Sequence, residues 1–418
     1  MTRRVLMVAY HFPPVHGSSG LQRTLKFSRY LPQFGWEPIV LTVHPRAYTE
    51  TTAGQLVDIG EETVVVRAFA LDTARHLAVA GRYPGWFAIP DRWVSWWFAA
   101  VPTGLRLIRR YRPAAIWSTY PIATAHLIGY SLHRLSRLPW IADFRDSMTE
   151  ENYPKNPLVR RAYSAVERRA VHCSARAVFT TPGAVRMYAG RYPSVPSTRW
   201  GMIPNGYDEE NFTDAEKALN KSSRAGPAVL VHSGLLYPSE RDPTAFFDAL
   251  QTLKRKGRIT AGSVKVILRA TGHDTHYRPM LAQHDLEDIV FLEPAISYRE
   301  ALAEMLHADG LLIFQAANCN HQIPAKIYEY LRARRPILAL TDAAGDTAAV
   351  LRTAGIDTIA PLDSATAIET VLPAFLERLR TGTAPVANDS EIARHSRLAG
   401  AQELARLLDA VGLDGSSG

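Results

Sequence analysis

The stretch IPAKIYEYLRARRPILAL, residues 323–340, reads as a loop, a short helix and a buried strand. Pro324 suits the entry to a helix, because its fixed φ matches a helix and its missing N–H would have no partner in the first turn. Lys326 and Glu329 are three residues apart, so they share one helix face. The free N–H groups and the dipole of that helix end favour an anion such as phosphate. We expect Lys326 and Glu329 to hold a diphosphate and a sugar hydroxyl; the alternative is an ordinary surface ion pair.

Short apolar runs rich in β-branched residues recur along the chain in two sets, and helical patterns at 21–33, 94–111, 122–136 and 157–173 separate several runs of the first set. This alternation predicts β-α-β units with parallel sheets buried on both faces. The first set of predicted strands is Val5–Ala9, Ile39–Val43, Val64–Phe69, Ala115–Thr119, Trp140–Phe144 and Val178–Thr181. The second set is Ala228–Ser233, Val264–Leu268, Ile289–Leu292, Gly310–Phe314, Pro336–Leu340 and Asp357–Ala360.

The polar segment Phe212–Pro227 separates the two sets and has the composition of a linker. At 418 residues the chain is long enough for two domains. We therefore predict an α/β protein with two Rossmann-like doubly wound domains, residues 1–208 and 209–388, that face a central cleft. Ligands of such sheets bind beyond the carboxyl ends of the strands.

The end of the chain, residues 389–418, is predicted as a separate element. Residues 389–411 have the pattern of one helix, which we expect to pack back on the N-terminal domain. The closing Gly-Ser-Ser-Gly, residues 415–418, is expected to be disordered.

Charge is distributed unevenly along the chain. Residues 1–205 contain 26 Lys and Arg against 12 Asp and Glu, whereas residues 206–418 contain 22 against 28. The basic half suits an anionic membrane surface or a lipid phosphate. Simple solvation of arginine-rich helices is the alternative. No zinc-finger, RNP-like or KH pattern occurs, so nucleic acid is not an expected partner.

Aromatic residues beside arginines predict a peripheral membrane contact for the N-terminal half. The aromatics lie in Tyr83–Phe87 and Trp93–Phe98, and arginines follow at positions 106, 109, 110 and 112. Such side chains suit a bilayer interface, although burial in a core is the common alternative for tryptophan. The apolar run Trp93–Leu105 has 13 residues, whereas a spanning helix needs about 20.

The cysteine pattern and the N-terminus bear on the expected compartment. The two cysteines, Cys173 and Cys319, are far apart, and the N-terminal residues lack the pattern of a signal peptide. We therefore expect a cytoplasmic protein, peripheral on the inner face of the plasma membrane.

A glycine-containing loop, YHFPPVHGSSG at residues 10–20, follows the first predicted strand. Gly17 and Gly20 would let the backbone approach a phosphate at the start of the next helix. The loop is not G-x-G-x-x-G and contains no G-x-S-x-G elbow. These absences argue against a dinucleotide fingerprint and against a hydrolase nucleophile.

The segment WIADFRD, residues 140–146, places two acids and an arginine at the carboxyl end of a predicted strand. We consider Asp143, Arg145 and Asp146 candidate catalytic residues. Asp146 would orient or deprotonate an acceptor hydroxyl, and Arg145 would face an anionic group. The alternative is an internal Asp–Arg pair that fastens the loop.

The segment HSGLLYPSERD, residues 232–242, also lies between a strand and a helix. Gly234 would give a tight turn, and Arg241 would lie where the helix begins. Arg241 and Lys326 together would form a two-cation clamp on a diphosphate, which stabilises negative charge on a leaving group.

Taken in order, the glycine-containing loop, DFRD, IPNGYD at 203–208, SGLxY and PxKxxEY resemble the family 4 retaining glycosyltransferases of GT-B fold over nearly the whole chain. The resemblance implies transfer of a hexose-like sugar from a nucleotide-sugar to a glycan or lipid-linked acceptor. It also implies that Glu329 is the second glutamate of the family's Glu-x7-Glu motif, which holds the donor ribose. His321 stands where the first glutamate falls, so Asn320, His321 or Gln322 would contact the donor sugar.

No D-x-D sequence occurs in the chain, and the resemblance implies that cations and helix N-termini replace a divalent metal. We therefore expect neither a metal nor another cofactor. Two alternatives stay open. One is a GT-B-type sugar-nucleotide epimerase, which needs no acceptor. The other is a catalytically degenerate glycan-binding subunit, which His321 suggests.

Overall fold

The computed structural model describes residues 3–16, 20–151, 153–217 and 226–414. Gly17 and residues 415–418, which were expected to be disordered, therefore lie outside the described residues. The chain divides into two compact units. The first unit is Met1–Asn205 with Arg397–Gly418, and the second is Gly206–Ser396. The unit boundaries, after Asn205 and after Ser396, lie near the predicted boundaries at 208 and 388.

The first unit is built on a parallel sheet of seven strands in the order β3-β2-β1-β4-β5-β6-β7. The strands are β1 (Arg3–Val8), β2 (Trp36–Val43), β3 (Val64–Ala68), β4 (Ala115–Thr119), β5 (Trp140–Phe144), β6 (Arg176–Phe179) and β7 (Trp200–Met202). The helices of this part are α1 (Leu21–Tyr30), α2 (Thr73–His76), α3 (Ser95–Tyr111), α4 (Ala123–Ser136), α5 (Pro157–Cys173) and α6 (Pro182–Arg191). Short 3-10 turns lie at Leu31–Phe34, Pro45–Ala47, Leu56–Asp58, Gly85–Ala88 and Ser197–Arg199.

The second unit has a parallel sheet of six strands in the order β10-β9-β8-β11-β12-β13. The strands are β8 (Ala228–Ser233), β9 (Val264–Arg269), β10 (Val290–Glu293), β11 (Gly310–Phe314), β12 (Ile337–Leu340) and β13 (Ile359–Ala360). The helices are α7 (Glu209–Lys217), α8 (Thr244–Arg255), α9 (Asp274–Gln283), α10 (Tyr298–His307), α11 (Lys326–Arg332), α12 (Asp346–Thr353), α13 (Ala365–Thr381) and α14 (Asp389–Arg394), with a 3-10 turn at Ala317–Cys319. This is the Rossmann strand order, whose direction reverses between β8 and β11.

Both sheets are covered on both faces, as the apolar strand sequences predict. In β1, Val5 and Met7 face one core, whereas Leu6 and Val8 face another. In β8, Val229 and Val231 face one core and Leu230 faces the other. Because side chains alternate along a strand, each strand contributes to both cores. Because the strands are buried on both faces, polar side chains lie beyond their carboxyl ends.

The prediction of one helix over 389–411 is wrong. The segment forms α14 and then α15 (Arg397–Asp414), with a break at His395 and Ser396. Ser396 pairs with Tyr207, and the Tyr207 N–H donates to the carbonyl oxygen of His395 over 3.1 Å. This pairing takes the backbone of 395–396 out of helical geometry. A Cβ on Gly206 would lie 2.4 Å from that carbonyl oxygen, so the close approach requires glycine there.

Helix α15 packs in the first unit. Leu404 and Leu408 are buried beside Phe27 and Trp36. Asp409 accepts a hydrogen bond from Trp36 Nε1 over 2.8 Å and forms an ion pair with Arg3. The end of the chain therefore completes one face of the first sheet.

The predicted linker Phe212–Pro227 begins inside helix α7 instead. Phe212 and Ala215 are buried in a core of the second unit. Arg332 lies over the Phe212 ring, 5.0 Å from its centroid, and binds Glu209 and Glu216. The polar residues between these buried positions line the outer face of the helix. Residues 218–225, the rest of the predicted linker, lie outside the described residues.

Replacing Leu408 with Ala should destabilise the first unit by about 2–5 kcal/mol, because the change opens a cavity in a closed core. Leu398, on the same helix, is 41% exposed, and its replacement with Ala should cost about 0.5 kcal/mol or less. All eight tryptophans lie in the first unit, so denaturant unfolding followed by tryptophan fluorescence measures this unit. Equal effects of the two variants would contradict the packing of α15.

Candidate active site

The candidate diphosphate residues of the second unit meet where the strand order reverses. Gly234 follows β8 with a φ of +114°, a backbone conformation that favours glycine. A Cβ built on Gly234 would lie 2.9 Å from Nζ of Lys326. The lysine amine therefore lies directly on the bare backbone of Gly234. Helix α11 begins at Lys326 itself, two residues after Pro324, where the sequence suggested the start.

The amine of Lys326 contacts a histidine ring. Its Nζ lies 3.1 Å from Nε2 of His232, a neutral partner. Burial, with the charge of Arg241 as a second cause, lowers the pKa of Lys326 to about 7, and Glu329 opposes this shift. An anionic ligand would favour the charged lysine and reverse the shift.

Arg241 lies in the turn before α8, which starts three residues later at Thr244. Its Nη1 donates to the carbonyl oxygen of Leu235 over 3.1 Å, and its guanidinium carbon is 5.6 Å from the centroid of the Tyr237 ring. The charge of Arg241 contributes to lowering the pKa of both Lys326 and His232. Lys326 thus lies against Gly234, and Arg241 is near enough for its charge to lower the pKa of the lysine.

Glu329 lies one helical turn beyond Lys326. Its Oε1 accepts a hydrogen bond of 2.7 Å from the hydroxyl group of Tyr298. Tyr298, at the start of α10, is a neighbour that the sequence did not suggest. The hydroxyl group of Tyr298 thus fixes the orientation of the Glu329 carboxylate.

The side-chain amide of Gln315 holds the loop that carries His321 and Gln322. The Gln315 Nε2 donates to the carbonyl oxygens of Cys319 and Gln322, over 2.8 and 2.9 Å. His321 is half-buried and the side chain of Gln322 is exposed. The sequence analysis did not identify Gln315. A glutamine directly after the apolar strand β11 could have indicated a residue of this loop.

A separate cavity of about 500 Å³ lies beyond the carboxyl ends of β11, β12 and β13. Its lining includes the carboxylates Asp242, Asp248, Asp342 and Asp363. Within the described part of the chain, the lining contains neither lysine nor arginine. An acidic lining does not suit a diphosphate. Gly234, Arg241 and Lys326 are absent from this lining.

In the first unit, Asp143 is fully buried and bonded on both oxygens. Arg23 of α1 donates through Nε to Oδ2 over 3.0 Å and through Nη2 to Oδ1 over 2.7 Å. Thr119 donates to Oδ2 over 2.8 Å, and Arg23 also donates to the carbonyl oxygen of Pro204 over 3.0 Å. Asp143 thus joins β5 to α1, and Arg23 joins α1 to the Pro-Asn-Gly segment. The internal Asp–Arg pair exists, but its arginine is Arg23, which the sequence reading missed.

Arg145 and Gly20 lie against each other in the first unit. The Arg145 Nε donates to the carbonyl oxygen of Tyr120 over 2.5 Å. A Cβ on Gly20 would lie 1.8 Å from its Nη1, so glycine makes room for the guanidinium group. Burial lowers the pKa of Arg145 to about 10 and, with the charge of Arg145, the pKa of His11 to about 3. Arg145 therefore stays cationic beside a neutral histidine.

Asp146, next in the chain, has an exposed side chain. Partial desolvation raises the pKa of its carboxyl group, and the charge of Arg145 opposes this effect. Of the three candidate catalytic residues, Asp143 is buried, Arg145 is half-buried and Asp146 is exposed.

The aromatic residues expected at a membrane divide into buried and exposed ones. Trp96 is fully buried, Trp93 packs 4.8 Å from the Tyr10 ring, and Trp97 donates through Nε1 to Ser131. Trp86 and Phe98 are 67% and 70% exposed. Throughout the described ranges, no helix combines the length and apolarity needed to cross a bilayer.

Solved structures share this architecture over the whole chain. Sucrose-phosphate synthase from Thermosynechococcus elongatus is 14% identical, with a TM-score of 0.60, over 99% of this chain and 97% of that one. HepE of Anabaena, in complex with UDP-glucose, is 12% identical, with a TM-score of 0.57, over 99% and 98%. The lipopolysaccharide outer core galactosyltransferase WaaB is 10% identical, with a TM-score of 0.61, over 97% and 99%. The fold is thus that of the GT-B glycosyltransferases, and the predicted pair of Rossmann-like domains is confirmed.

A family model matches most of the first unit. Residues 20–206 match the model described as Glycosyl transferase 4-like domain. This part of the chain is therefore a glycosyl transferase 4-like domain, and the resemblance found in the sequence is confirmed. A comparison with curated protein sequences finds no match.

Replacing Asp143 with Asn should lower the free energy of unfolding of the first unit by about 3–5 kcal/mol, because Arg23 would stay buried without its counter-charge. Replacing the exposed Asp146 with Asn should change that free energy by about 0.5 kcal/mol or less. Urea unfolding measured by tryptophan fluorescence compares the two. A stable Asp143→Asn protein would contradict the structural role of the carboxylate.

Proposed function

We propose that the chain transfers a hexose-like sugar from a nucleotide-sugar to a glycan or lipid-linked acceptor, with retention of configuration and without a divalent metal. The observation that carries this proposal is the contact of the Lys326 amine with the Gly234 backbone, with Arg241 nearby. Fixed cations at the carboxyl end of a Rossmann-like sheet suit a nucleoside diphosphate. The UDP-glucose bound to HepE, a protein of the same fold, supports this donor class.

The second unit would hold the donor. Lys326 and Arg241 would bind the two phosphates and stabilise the charge that develops when the nucleoside diphosphate leaves. Glu329, oriented by Tyr298, would accept hydrogen bonds from the ribose. His321 and Gln322, on the loop that Gln315 holds, would contact the donor sugar.

The first unit would supply the acceptor side. Asp146 would orient the attacking hydroxyl group, and Arg145 would face an anionic group of the acceptor. In the transfer, the bond from the anomeric carbon to the phosphate oxygen breaks while the acceptor oxygen bonds to the same face of that carbon. The departing phosphate takes the proton of the acceptor hydroxyl, so the step needs no strong protein base.

Donor binding is tested by thermal shift with UDP, GDP and ADP and their glucose conjugates, with and without EDTA. One nucleotide should raise the melting temperature, because ligand at about 100 times Kd stabilises the native state by about 2.7 kcal/mol. Lys326→Ala, Arg241→Ala and Glu329→Ala should each weaken binding about tenfold or more, because each removes a charge-assisted hydrogen bond. EDTA should change nothing.

Lys256→Ala is the matched control, because Lys256 is an exposed lysine of the same unit that pairs with Glu369. Its affinity should equal that of wild type. Normal affinity in the Lys326 and Glu329 variants would refute the assigned donor site. Turnover of a nucleotide-sugar without any acceptor would favour the epimerase, and binding without turnover on any lipid-linked acceptor would favour the glycan-binding subunit.

A membrane-bound acceptor fits the surface of the first unit. The loop 77–87 carries Val79, Trp86 and Phe87 as exposed apolar side chains. Arg75 and Arg82 are exposed beside them, and residues 75–87 contain no Asp or Glu. Aromatic rings with arginines suit the interface of an anionic bilayer. We propose that this loop contacts the membrane that holds the acceptor.

Flotation with phosphatidylcholine vesicles, with and without phosphatidylglycerol, tests this contact. Trp86→Ser should weaken binding to the anionic vesicles about tenfold, because burial of a large aromatic side chain contributes roughly 1.5–3 kcal/mol. The control is Leu135→Ser, because Leu135 is 63% exposed in α4 of the same unit. Wild-type protein that stays unbound at low salt would end the membrane proposal.

A further inference from the structure

The partner of the Lys326 amine is a buried histidine whose hydrogen bond to a neighbouring strand favours one tautomer. His232, at the end of β8, is 1% exposed. Its Nδ1 lies 2.9 Å from the carbonyl oxygen of Leu312 on the adjacent strand β11. A carbonyl oxygen only accepts, so Nδ1 carries the proton and Nε2 presents its lone pair. That lone pair faces Nζ of Lys326 at 3.1 Å.

The surroundings keep this histidine neutral. Burial is the main cause that lowers the pKa of His232 well below its usual value, and the charges of Lys326 and Arg241 add to it. The ring packs edge-on against Phe314, with centroids 5.1 Å apart, which restricts its rotation. A neutral acceptor orients an ammonium group without cancelling its charge, whereas a carboxylate in this place would neutralise it.

We propose that His232 is a positioning residue for the donor diphosphate, which holds the Lys326 ammonium over Gly234 while leaving its positive charge for the ligand. The inference rests on the proposed function, because it takes Lys326 as a phosphate ligand. The neighbouring charged side chains are otherwise engaged: Arg241 donates to the Leu235 carbonyl and Glu329 accepts from Tyr298. His232 is the side chain whose ring nitrogen contacts the amine directly, at 3.1 Å.

A dependence on pH follows from this arrangement. Lys326 is faced by His232 from β8, by Arg241 from the loop after β8 and by Glu329 from its own helix, with Tyr298 of α10 on Glu329. Its pKa of about 7 in the free protein means that the ammonium form loses its proton as the pH rises through neutrality. A diphosphate binds the ammonium form, so affinity falls as the pH rises above about 7, with proton uptake on binding.

Two substitutions test the roles of the two nitrogen atoms of the His232 ring separately. In His232→Asn, the amide nitrogen takes the place of Nδ1 and can still donate to Leu312, but no acceptor reaches Lys326. In His232→Gln, the amide group reaches the place of Nε2 and restores an acceptor. Affinity for UDP, GDP and ADP is measured by calorimetry between pH 6 and pH 9, beside the KM for the donor and kcat.

His232→Asn should weaken binding and raise the KM for the donor about tenfold, because an ammonium group loses its acceptor. The fall of affinity should begin at lower pH, because the charged lysine is less favoured. His232→Gln should recover most of the loss. In a Lys326→Ala background, His232→Asn should have no further effect.

Unchanged affinity and pH dependence in His232→Asn, in a wild type that binds nucleotide, would overturn this inference alone. The same loss in the Lys326→Ala background would also overturn it, because His232 would then act by another route. Wild-type protein that binds no nucleoside diphosphate would overturn both the inference and the proposed function. If His232→Asn failed to fold, His232→Leu, which keeps the buried volume without an acceptor, decides: wild-type affinity in that variant would overturn the inference.

Discussion

The amine of Lys326 rests on the backbone of Gly234, and the donor chemistry assigned to the second unit depends on this contact. It exists because parallel strands bring the loops after β8 and β11 to one edge of the sheet. The bare backbone at Gly234 leaves room for the amine, and the neutral His232 orients it without removing its charge. Burial lowers the pKa of Lys326 although Glu329 opposes the shift, and an anionic ligand would raise that pKa again.

The first unit uses charge differently. Asp143 and Arg23 neutralise each other inside the protein and fix α1 and the Pro204 segment to β5. Arg145 and Asp146, the other charged groups of DFRD, lie outside this pair, and Arg145 donates to the Tyr120 carbonyl oxygen. The buried pair of Asp143 and Arg23 thus stabilises the structure, whereas Arg145 and Asp146, close to Asp143 in sequence, are less buried. The two units therefore present separate chemistries, cations in the second unit and an exposed carboxylate beside an arginine in the first.

Local sequence patterns were sufficient for the sheets, because a buried parallel strand is a continuous apolar run. β7 (Trp200–Met202) was missed because three residues give no pattern. The helix break at His395 was missed because it depends on pairing with Tyr207, far away in sequence. In the site, Gly234 and Lys326 stand out by residue type, whereas the roles of His232 and Arg23 arise from contacts 94 and 120 residues distant along the chain. Those contacts appear only once the strands are paired.

The most direct measurement compares the affinities of wild type and Lys326→Ala for a nucleoside diphosphate and for the matching monophosphate. If the amine on Gly234 binds the second phosphate, wild type should prefer the diphosphate strongly, and most of that preference should vanish in the variant. A preference of the same size in both proteins would contradict the assignment of Lys326 as the diphosphate ligand.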